Sequence, residues 1–345
     1  MLETQDKKGK LMPAIRKTLS TVVRYVSQEH ANSQQTLHGG RLMDWIMSVA
    51  NITSARFAKG LTVLGAADNI DFMNPVKVGS IVVLDSWIEF TGKSSLEVAV
   101  RVYSEDPEGG EKQFITLSHL AFVAVNKNGV PREVGEKITP ADDAEAAVCE
   151  KAATRRVERL EELKLRKQQL SNIADETEVT RVILETSRAV MPDDIFFADF
   201  MSAGKLLKYT DETSALVGMR HAKGTLVTGS LDNLFFFSPI RQGEYITLKA
   251  GITHTGKTSL ETAVKISSEN PRTGEIKHTC TAFLSFVHID KNGKPSAVPQ
   301  ITVETPYEKR LWKEAEKRKE SRSERVRAIR KKAKMFIEDY KGAVG

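Results

Sequence analysis

The spacing of apolar and polar residues changes along the chain in a defined order. A short alternating segment at residues 19–27 is followed by a run of helical length and period at 40–59. Four strand-like runs come next, at 61–73, 80–91, 95–104 and 112–125. Residues typical of turns separate them, namely Pro75, Gly79, Gly92, Pro107, Gly110 and Asn128-Gly129. One long helix followed by a meandering antiparallel sheet predicts an α+β domain in which the sheet wraps the helix.

The same succession occurs a second time, 164 residues later. Residues 38–131 and 202–295 align without a gap and share 35 identities in 94 positions, whereas ordinary composition gives roughly 6. The shared landmarks include Gly40/Gly204, Arg56/Arg220, Lys59/Lys223, Asp68/Asp232, Pro75/Pro239, Gly79/Gly243 and the segments 91–97/255–261. The counterpart of the first alternating segment is 179–190. Two copies are too few for a solenoid, so we expect two domains that pair like a dimer within one chain.

A charged segment follows each copy. Residues 141–170 and 307–340 are rich in Ala, Glu, Lys and Arg, with both signs of charge interspersed, which favours solvent-facing structural helices. A functional basic tail centred on 327–334 is the alternative for the second segment. We therefore expect a first domain at 1–140, a charged linker helix at 141–172, a second domain at 173–300 and a C-terminal charged helix at 301–345.

Composition and charge exclude several classes of protein. The 345 residues are 40% hydrophobic but contain no apolar run near the ~20 residues that a membrane-spanning helix needs. From residue 301 onward, 14 Lys and Arg face 8 Asp and Glu, and this difference of 14 − 8 = +6 is the whole net charge. We therefore expect no membrane insertion and no nucleic-acid partner. Two cysteines, Cys149 and Cys280, and an opening decapeptide without an apolar signal region favour a cytoplasmic location.

Several of these motifs, in this order, resemble a known family. They are Asn32, the run 38–43, Arg56 with Lys59-Gly60, Phe72 with Pro75 and Gly79, and the hairpin Gly92-Lys93-Ser94-Ser95-Leu96-Glu97. The chain resembles hotdog-fold acyl-CoA thioesterases, best the tandem type of cytosolic long-chain acyl-CoA hydrolases. The resemblance covers both repeats and implies two fused hotdog domains. It also implies hydrolysis of fatty acyl-CoA to free fatty acid and CoA, with no metal and no cofactor beyond the CoA of substrate and product.

The resemblance implies that the site residues are divided between the copies. Family members carry an Asn in the loop before the Gly-Gly pair and an Asp-Glu pair in the helix. The first copy has Asn32 but Met47-Ser48 at the Asp-Glu position, and the second copy has Phe196 at the Asn position but keeps Asp211-Glu212. One complete site, Asn32 with Asp211, is therefore implied, together with one vestigial site at Phe196 and Met47.

Thioester hydrolysis assigns a task to each of these groups. Gly39 and Gly40 open the first helix, where unsatisfied N–H groups would polarise the thioester carbonyl, although a tight helix entry is the plainer interpretation. Asp211 would activate water or attack directly, and Asn32 would orient the water or add a donor. Glu212 either assists Asp211 or faces solvent. His38 is interpreted as a lining residue, because its counterpart is Ser202 and the family does not require His there.

Coenzyme A carries three phosphates, so the body of the protein must present local cations and donors. The candidates at the two helix ends and the two matching hairpins are Arg56, Lys59, Lys93, Ser95, Arg220, His221, Lys223, Lys257 and Ser259. Cations at helix C-termini are also ordinary dipole partners, so at least half of these are expected to be structural. An apolar tunnel for the acyl chain is expected near Trp45, Phe196, Phe197, Phe235, Phe236 and Phe237, where Phe196 would plug the vestigial site.

Two further expectations concern partners and rival functions. The resemblance implies a homo-oligomer, a trimer of tandem chains that holds six hotdog domains. A non-catalytic acyl-CoA sensor or scaffold is the alternative function, since one of the two sites lacks the Asn and the Asp of the family. A dehydratase on the same fold is disfavoured because its His-containing Pro-Gly motif is absent from the sequence. Acyl chain length, nucleotide regulation and the choice between base and nucleophile for Asp211 do not follow from the sequence.

Overall fold

The computed structural model describes residues 13–172 and 182–338. In the first copy, helix α1 spans Gly39–Ala58 and helix α2 spans Asp143–Asn172. The strands of this copy are β1 Ser20–Tyr25, β2 Thr62–Ala67, β3 Ile70–Asp71, β4 Ile81–Thr91, β5 Ser95–Glu105 and β6 Lys112–Ala124. The predicted order of one long helix followed by an antiparallel sheet is confirmed.

The second copy repeats this order with one addition. Helix α3 spans Ala203–Ala222 and helix α4 spans Pro306–Glu338. The strands are β7 Ile183–Ala189, β8 Ile195–Phe197, β9 Phe200–Met201, β10 Thr225–Leu231, β11 Leu234–Phe235, β12 Tyr245–Thr255, β13 Ser259–Glu269 and β14 Ile276–Ile289. The small hairpin β8–β9 lies where the sequence predicts only a loop. Of the predicted segment 179–190, residues 179–181 lie outside the described residues, as do 1–12, 173–178 and 339–345 of the predicted domains.

The prediction of one continuous strand at 61–73 is wrong, as is its counterpart 164 residues on. Each is two strands, because the chain leaves its own sheet at the Asp-Asn pair and joins the sheet of the other copy. Thus β2 pairs with β6 of its own copy, but β3 pairs with β10, with Ile70 opposite Leu231. In return β11 pairs with β2, with Leu234 opposite Ala67. A strand's pairing partner depends on tertiary contacts that residue pattern does not encode.

The exchange produces two six-stranded sheets. Their orders are β1-β4-β5-β6-β2-β11 and β3-β10-β14-β13-β12-β7. Each sheet therefore ends in a two-residue strand from the other copy, which covers one exposed edge and joins the halves through backbone hydrogen bonds. A single hydrophobic cluster draws buried side chains from both copies. The halves consequently share one core rather than touching at a surface.

Helices α1 and α3 pack against each other at the centre of that core. A Cβ atom on Gly40 would lie 3.0 Å from the Lys208 Cα, and one on Gly204 would lie 2.9 Å from the Asp44 Cα. Contacts between the start of each helix and the second turn of the other mean that the helices run antiparallel about a pseudo-twofold axis. Glycine at both positions allows the two backbones to approach this closely. This crossing places the N-terminus of each helix beside the middle of its partner.

The charged helices α2 and α4 lie on the outer faces of the two sheets. Arg159 of α2 donates to Asp68 at 2.8 and 2.9 Å and to Glu97 at 2.8 Å. In the same way Arg322 of α4 bonds to both Asp232 and Glu261. Burial raises the pKa of both Glu97 and Asp232, and the Arg partners oppose that rise. These repeated carboxylates therefore anchor the helices, as expected for structural helices rather than nucleic-acid arms.

Candidate active site

The Asp211 carboxylate lies at the crossing of α1 and α3 and is 0% exposed. Its Oδ2 accepts a hydrogen bond of 2.9 Å from the Gly40 N–H, which belongs to the other copy. Its Oδ1 accepts a second, also of 2.9 Å, from the hydroxyl of Thr228 on β10. The two halves of the chain thus meet at this carboxylate, which is the juxtaposition that the sequence predicts for Asp211 and the glycine turn.

Thr228 is a residue that the sequence reasoning missed. The repeat contains an indication of its importance, because the residue 164 positions earlier is the apolar Leu64. This pair shows the same contrast as Asn32 with Phe196 and Asp211 with Met47, in which one copy keeps a polar group and the other has an apolar one. No sequence motif marks a single Thr in a strand, so the contrast has meaning only once its contact with Asp211 is known.

The two glycines at the start of α1 are required by packing against the other copy. A Cβ on Gly39 would lie 2.4 Å from the Thr228 Oγ1 and 2.5 Å from its Cβ. A Cβ on Gly40 would lie 3.0 Å from the Asp211 Cβ. The space beside both residues is therefore occupied by side chains of the second copy. The tight-entry interpretation accounts for the residue type, while the helix N-terminus still points its N–H groups at the site.

His38 caps α1 and stands beside the carboxylate. Its Nδ1 accepts from the Gly40 N–H at 3.2 Å and lies 3.4 Å from the Asp211 Oδ2. The Gly40 N–H is therefore shared between two acceptors. Within the described part of the chain, the Gly39 N–H has no acceptor. His38, which the sequence analysis interprets as a lining residue, thus lies directly beside the Asp211 carboxylate.

Burial raises the pKa of Asp211, since its carboxylate is cut off from water. His38, the Thr228 hydroxyl and the Gly40 N–H favour the ionised form and limit that rise, whereas Glu212 adds to it. Glu212 itself has a side chain that is 42% exposed and lies 3.5 Å from Lys208 in an i,i+4 ion pair. Of the two carboxylates, only Asp211 is held by groups of the other copy.

Asn32 lies in the loop that leads into α1. Its Oδ1 accepts hydrogen bonds from the Gln34 N–H at 2.9 Å and from the Thr36 N–H at 3.2 Å, so this oxygen holds the loop together. Within the described residues, Asn32 makes no hydrogen bond to Asp211. The structure thus brings Asp211 into contact with Gly40. It places the Asn32 amide in the loop before α1, where its oxygen binds the backbone of that loop.

The pseudo-equivalent position, around Gly204, is apolar where the first is polar. Phe196, Leu64 and Met47 stand in place of Asn32, Thr228 and Asp211. The nearby carboxylate is Asp44, whose pKa is raised by burial and whose charge is offset by Lys205, Arg41, Lys208 and Arg24. Asp44 corresponds to Lys208 rather than to Asp211, so it does not restore the missing group.

A cavity of about 240 Å³ opens at this second position. Phe196, Phe236 and Phe237 line it, so Phe196 forms a wall and does not fill the space as predicted. Phe235 is instead buried in a strand, and Trp45 packs edge-on against His30. The side chain of Phe197 lies outside the described residues.

The predicted CoA-binding groups divide between the copies. In the first copy, Lys59 pairs with Glu136 at 2.6 Å and Lys93 with Glu133 at 3.2 Å. Arg56 donates to the Ser20 hydroxyl, and the Ser95 hydroxyl accepts from Arg156. In the second copy, His221 bonds to the Pro299 carbonyl at 2.7 Å. Among described residues, Arg220, Lys223 and Lys257 have no ion-pair partner, and Ser259 lies in the hairpin beside Lys257.

Neither a metal centre nor a membrane span is found in the part of the chain that the structure describes. Residues 13–172 and 182–338 contain no group of three His, Cys, Asp or Glu side chains arranged to hold a metal ion. Within the same residues, every helix is too short or too polar to cross a bilayer.

Comparisons with known proteins agree with the duplicated architecture. The model of the thioesterase superfamily matches twice, at residues 34–111 and 199–275. The human protein named cytosolic acyl coenzyme A thioester hydrolase is 27% identical over 308 residues, which are 86% of this chain and 81% of that protein. An acyl-CoA thioester hydrolase of Bacillus subtilis, described as uncharacterized, is 37% identical over 145 residues, 42% of this chain and 84% of its own.

A solved structure shows a similar match. The acyl-CoA hydrolase of Staphylococcus aureus, solved in complex with butyryl coenzyme A, coenzyme A and coenzyme A disulfide, is 29% identical, with a TM-score of 0.44. The match covers 48% of this chain and 99% of that one. Sequence similarity along nearly the full length of the Bacillus relative, repeated family matches and the duplicated α+β architecture have one explanation. The chain belongs to the thioesterase superfamily, as two fused hotdog domains.

Proposed function

We propose that this protein hydrolyses fatty acyl-CoA to a free fatty acid and CoA at one composite site between its two halves. The observation that carries the proposal is the hydrogen bond of 2.9 Å from the Gly40 N–H of the first copy to the buried Asp211 of the second. A carboxylate, a helix N-terminus and the Thr228 hydroxyl converge there. The relatives named for acyl-CoA thioester hydrolysis supply the substrate class.

In the proposed reaction, the start of α1 binds the carbonyl group of the thioester. The thioester carbonyl oxygen becomes negative as the carbonyl is attacked, and N–H donors at a helix start stabilise it. Because the Gly40 N–H is already engaged by Asp211 and His38, the Gly39 N–H is the donor proposed for this oxygen. Asp211 then supplies the base or nucleophile, and the Asn32 amide orients the water or adds a donor.

We infer the position of the CoA part of the substrate from the cations near the C-terminal end of α3, the helix that carries Asp211. Arg220 is nine residues further along α3, about 14 Å from Asp211 at 1.5 Å per residue, and Lys223 follows directly after the end of the helix. We therefore assign the phosphates of the bound substrate to the second-copy groups Arg220, His221, Lys223, Lys257 and Ser259. The four first-copy groups are already bonded to other side chains.

Thiol release from acyl-CoAs of several chain lengths tests this function. The parent should turn over, and Asp211→Asn should lose about 10²–10⁴ in kcat, the usual contribution of a positioned base. Met47→Ala, at the pseudo-equivalent helix position, is the matched control and should retain the parent rate. Release of no thiol by the parent would favour the sensor alternative, and equal losses in both variants would refute the single composite site.

Further proposals concern organisation and setting. We propose the domain division at 1–140, 141–172, 173–300 and 301–345, a cytoplasmic location, catalysis without cofactor, and a trimer of tandem chains. Two apolar side chains on edge strand β1, Val23 and Tyr25, are 60% and 61% exposed, which supports contact with another chain. Sedimentation of the full chain should give three chain masses, and a monomer would refute the trimer.

A further inference from the structure

The cavity at the apolar half-site is lined by residues whose counterparts lie at or beside the composite site. Its wall from the second copy includes Phe196, Ala203 and Leu206, which correspond to Asn32, Gly39 and Leu42. Its wall from the first copy includes Leu64, the counterpart of Thr228. The cavity is therefore built from the same backbone as the composite site, with the hydrolytic groups replaced.

Its volume and lining suit an aliphatic ligand. Phe196 and Leu64 stand in the cavity wall in place of Asn32 and Thr228, yet about 240 Å³ is open between the walls. An engineered cavity of about 150 Å³ lined by aliphatic and aromatic side chains already binds small apolar molecules. The cavity at this half-site is also partly open to solvent, so a ligand can enter it.

One polar group in the cavity wall has no partner. Thr279 is 0% exposed, and its hydroxyl makes no hydrogen bond to any described residue. The strand register skips it, with Ile266 opposite Cys280 and Ser267 opposite His278, so Thr279 is the extra residue of a β-bulge. The same bulge in the first copy carries the apolar Ile115. A ligand in the cavity that carries a hydrogen-bonding group would satisfy this hydroxyl, whereas the apolar Ile115 of the first copy needs no partner.

We propose that this cavity binds the aliphatic chain of an acyl group without hydrolysing it, with the Thr279 hydroxyl hydrogen-bonded to the oxygen of its carbonyl or carboxyl group. Hydrolysis does not occur there because Met47 and Leu64 replace the carboxylate and the hydroxyl that hold the composite site. The choice of an acyl chain rests on the proposed function. The acyl-CoA itself and the free fatty acid share this chemistry as possible sources.

Calorimetric titration of the full chain tests the proposal with two probes. One is a ketone thioether of CoA with a ten-carbon chain, which keeps a carbonyl oxygen but has no thioester bond, and the other is decanoate. The parent should bind the thioether at the composite site and one of the two probes at the cavity. If the parent binds more than one equivalent of the thioether, acyl-CoA is the source of the ligand in the cavity. If it binds decanoate together with one equivalent of the thioether, the free fatty acid is the source.

Three variants locate the second binding event. Ala203→Phe fills the cavity and should abolish that event alone. Thr279→Val should weaken it about two- to tenfold, the effect of one buried hydrogen bond. Thr116→Val is the matched control, because its hydroxyl is also buried and without a partner among described residues but lies outside the cavity lining. It should change neither event.

The outcomes separate this proposal from the proposed function. A single binding event in the parent, or equal weakening by Thr279→Val and Thr116→Val, would overturn the cavity proposal even if thiol release is normal. A second event that Thr279→Val weakens would support it even if the parent releases no thiol, which would then count against hydrolysis only. Should Ala203→Phe fail to fold by circular dichroism, the contrast between the two Thr variants decides.

Discussion

The two half-sites share one backbone plan and differ in chemistry. Near Gly40, three polar residues have apolar counterparts in the other copy, namely Asn32, Asp211 and Thr228. Around Gly204, Phe196, Met47 and Leu64 occupy the same places. In both, the helix backbones approach so closely that only Gly fits at the crossing. The scaffold was therefore kept on both sides of the pseudo-twofold axis, while the groups that hold a buried charge were kept on one.

The difference shows what a buried carboxylate demands. Asp211 is 0% exposed and needs the Gly40 N–H and the Thr228 hydroxyl to offset its desolvation. Met47 is 3% exposed and needs no such donors. Once the carboxylate is replaced by Met, a Thr at position 64 would have no acceptor, and Leu packs better there. The replacements at Met47 and Leu64 are thus one coupled change rather than two independent ones.

The largest expected effect on this comparison comes from removal of the Thr228 hydroxyl, which one half-site has and the other lacks. We expect Thr228→Val to lower kcat about 10²-fold, comparable to the removal of one preorganised donor from an active site. Because Thr228 keeps the pKa of Asp211 from rising further, the acid limb of the pH–rate profile should also move to higher pH. Both follow from thiol release measured across the pH range.

Leu64→Val is the matched control for Thr228→Val, since it alters the same position of the other copy. It should leave kcat and the pH profile of the parent unchanged. A Thr228→Val protein with a lower kcat but an unmoved acid limb would show that the hydroxyl acts only in packing. A normal kcat would remove Thr228 from the proposed site.

The extents of α1 and α3 were predictable because capping residues and helical period are local. The predicted run 40–59 agrees with Gly39–Ala58 to within one residue at each end. Asp211 and Asn32 became candidates because the resemblance to hotdog-fold thioesterases implies an Asp-Glu pair in the helix and an Asn in the loop before it, and each copy keeps one of the two. Their roles in catalysis remain predictions.

Features that depend on distant contacts were not predictable from the sequence. The exchange of β3 and β11 between sheets depends on which strand edge lies nearby. The need for Gly39 depends on the Thr228 side chain, 189 positions away in the chain. The cavity at Phe196 depends on how much volume several walls leave between them, so a Phe that was expected to plug the site lines it instead.

A second prediction concerns the shared scaffold. Gly204→Ala should destabilise the protein by about 1–3 kcal/mol, the usual cost of overpacking, because its Cβ would lie 2.9 Å from the Asp44 Cα and carbonyl oxygen. Gly40→Ala meets the Lys208 backbone at 3.0 Å and should cost a similar amount. Gly109→Ala is the control, since nothing lies within 4 Å of its Cβ. Denaturant unfolding measures all three.

The two glycine variants should differ in activity. Gly40→Ala displaces the N–H that binds Asp211 and should lower kcat, whereas Gly204→Ala alters the apolar half-site and should retain more of the parent rate. Equal stability of Gly204→Ala and Gly109→Ala would contradict the close crossing of α1 and α3. Equal loss of kcat in both crossing variants would mean that the halves do not act separately.

The smallest expected effect is on stability, when each of two buried carboxylates, Asp211 and Asp44, is replaced by Asn. Burial raises the pKa of both Asp211 and Asp44 in the folded protein. A raised folded pKa means that the protonated form contributes stability at low pH and that this contribution is lost as pH rises through the folded pKa. Asn does not titrate, so each variant should gain stability relative to the parent over that pH window. The gain should be greatest above the folded pKa, where the parent carries the full cost of the buried charge.

Thermal unfolding from pH 4 to 8 measures this gain, and thiol release separates the two variants. Asp211→Asn should be more stable than the parent at neutral pH and should lose about 10²–10⁴ in kcat. Asp44→Asn should be more stable and active, because Asp44 lies at the apolar half-site. The parent would then carry an ionised Asp211 at a cost in stability that only its function explains. A neutral or destabilising Asp211→Asn would instead mean that the donors from Gly40 and Thr228 fully compensate the buried charge, and the proposed trade of stability for activity at this half-site would be wrong.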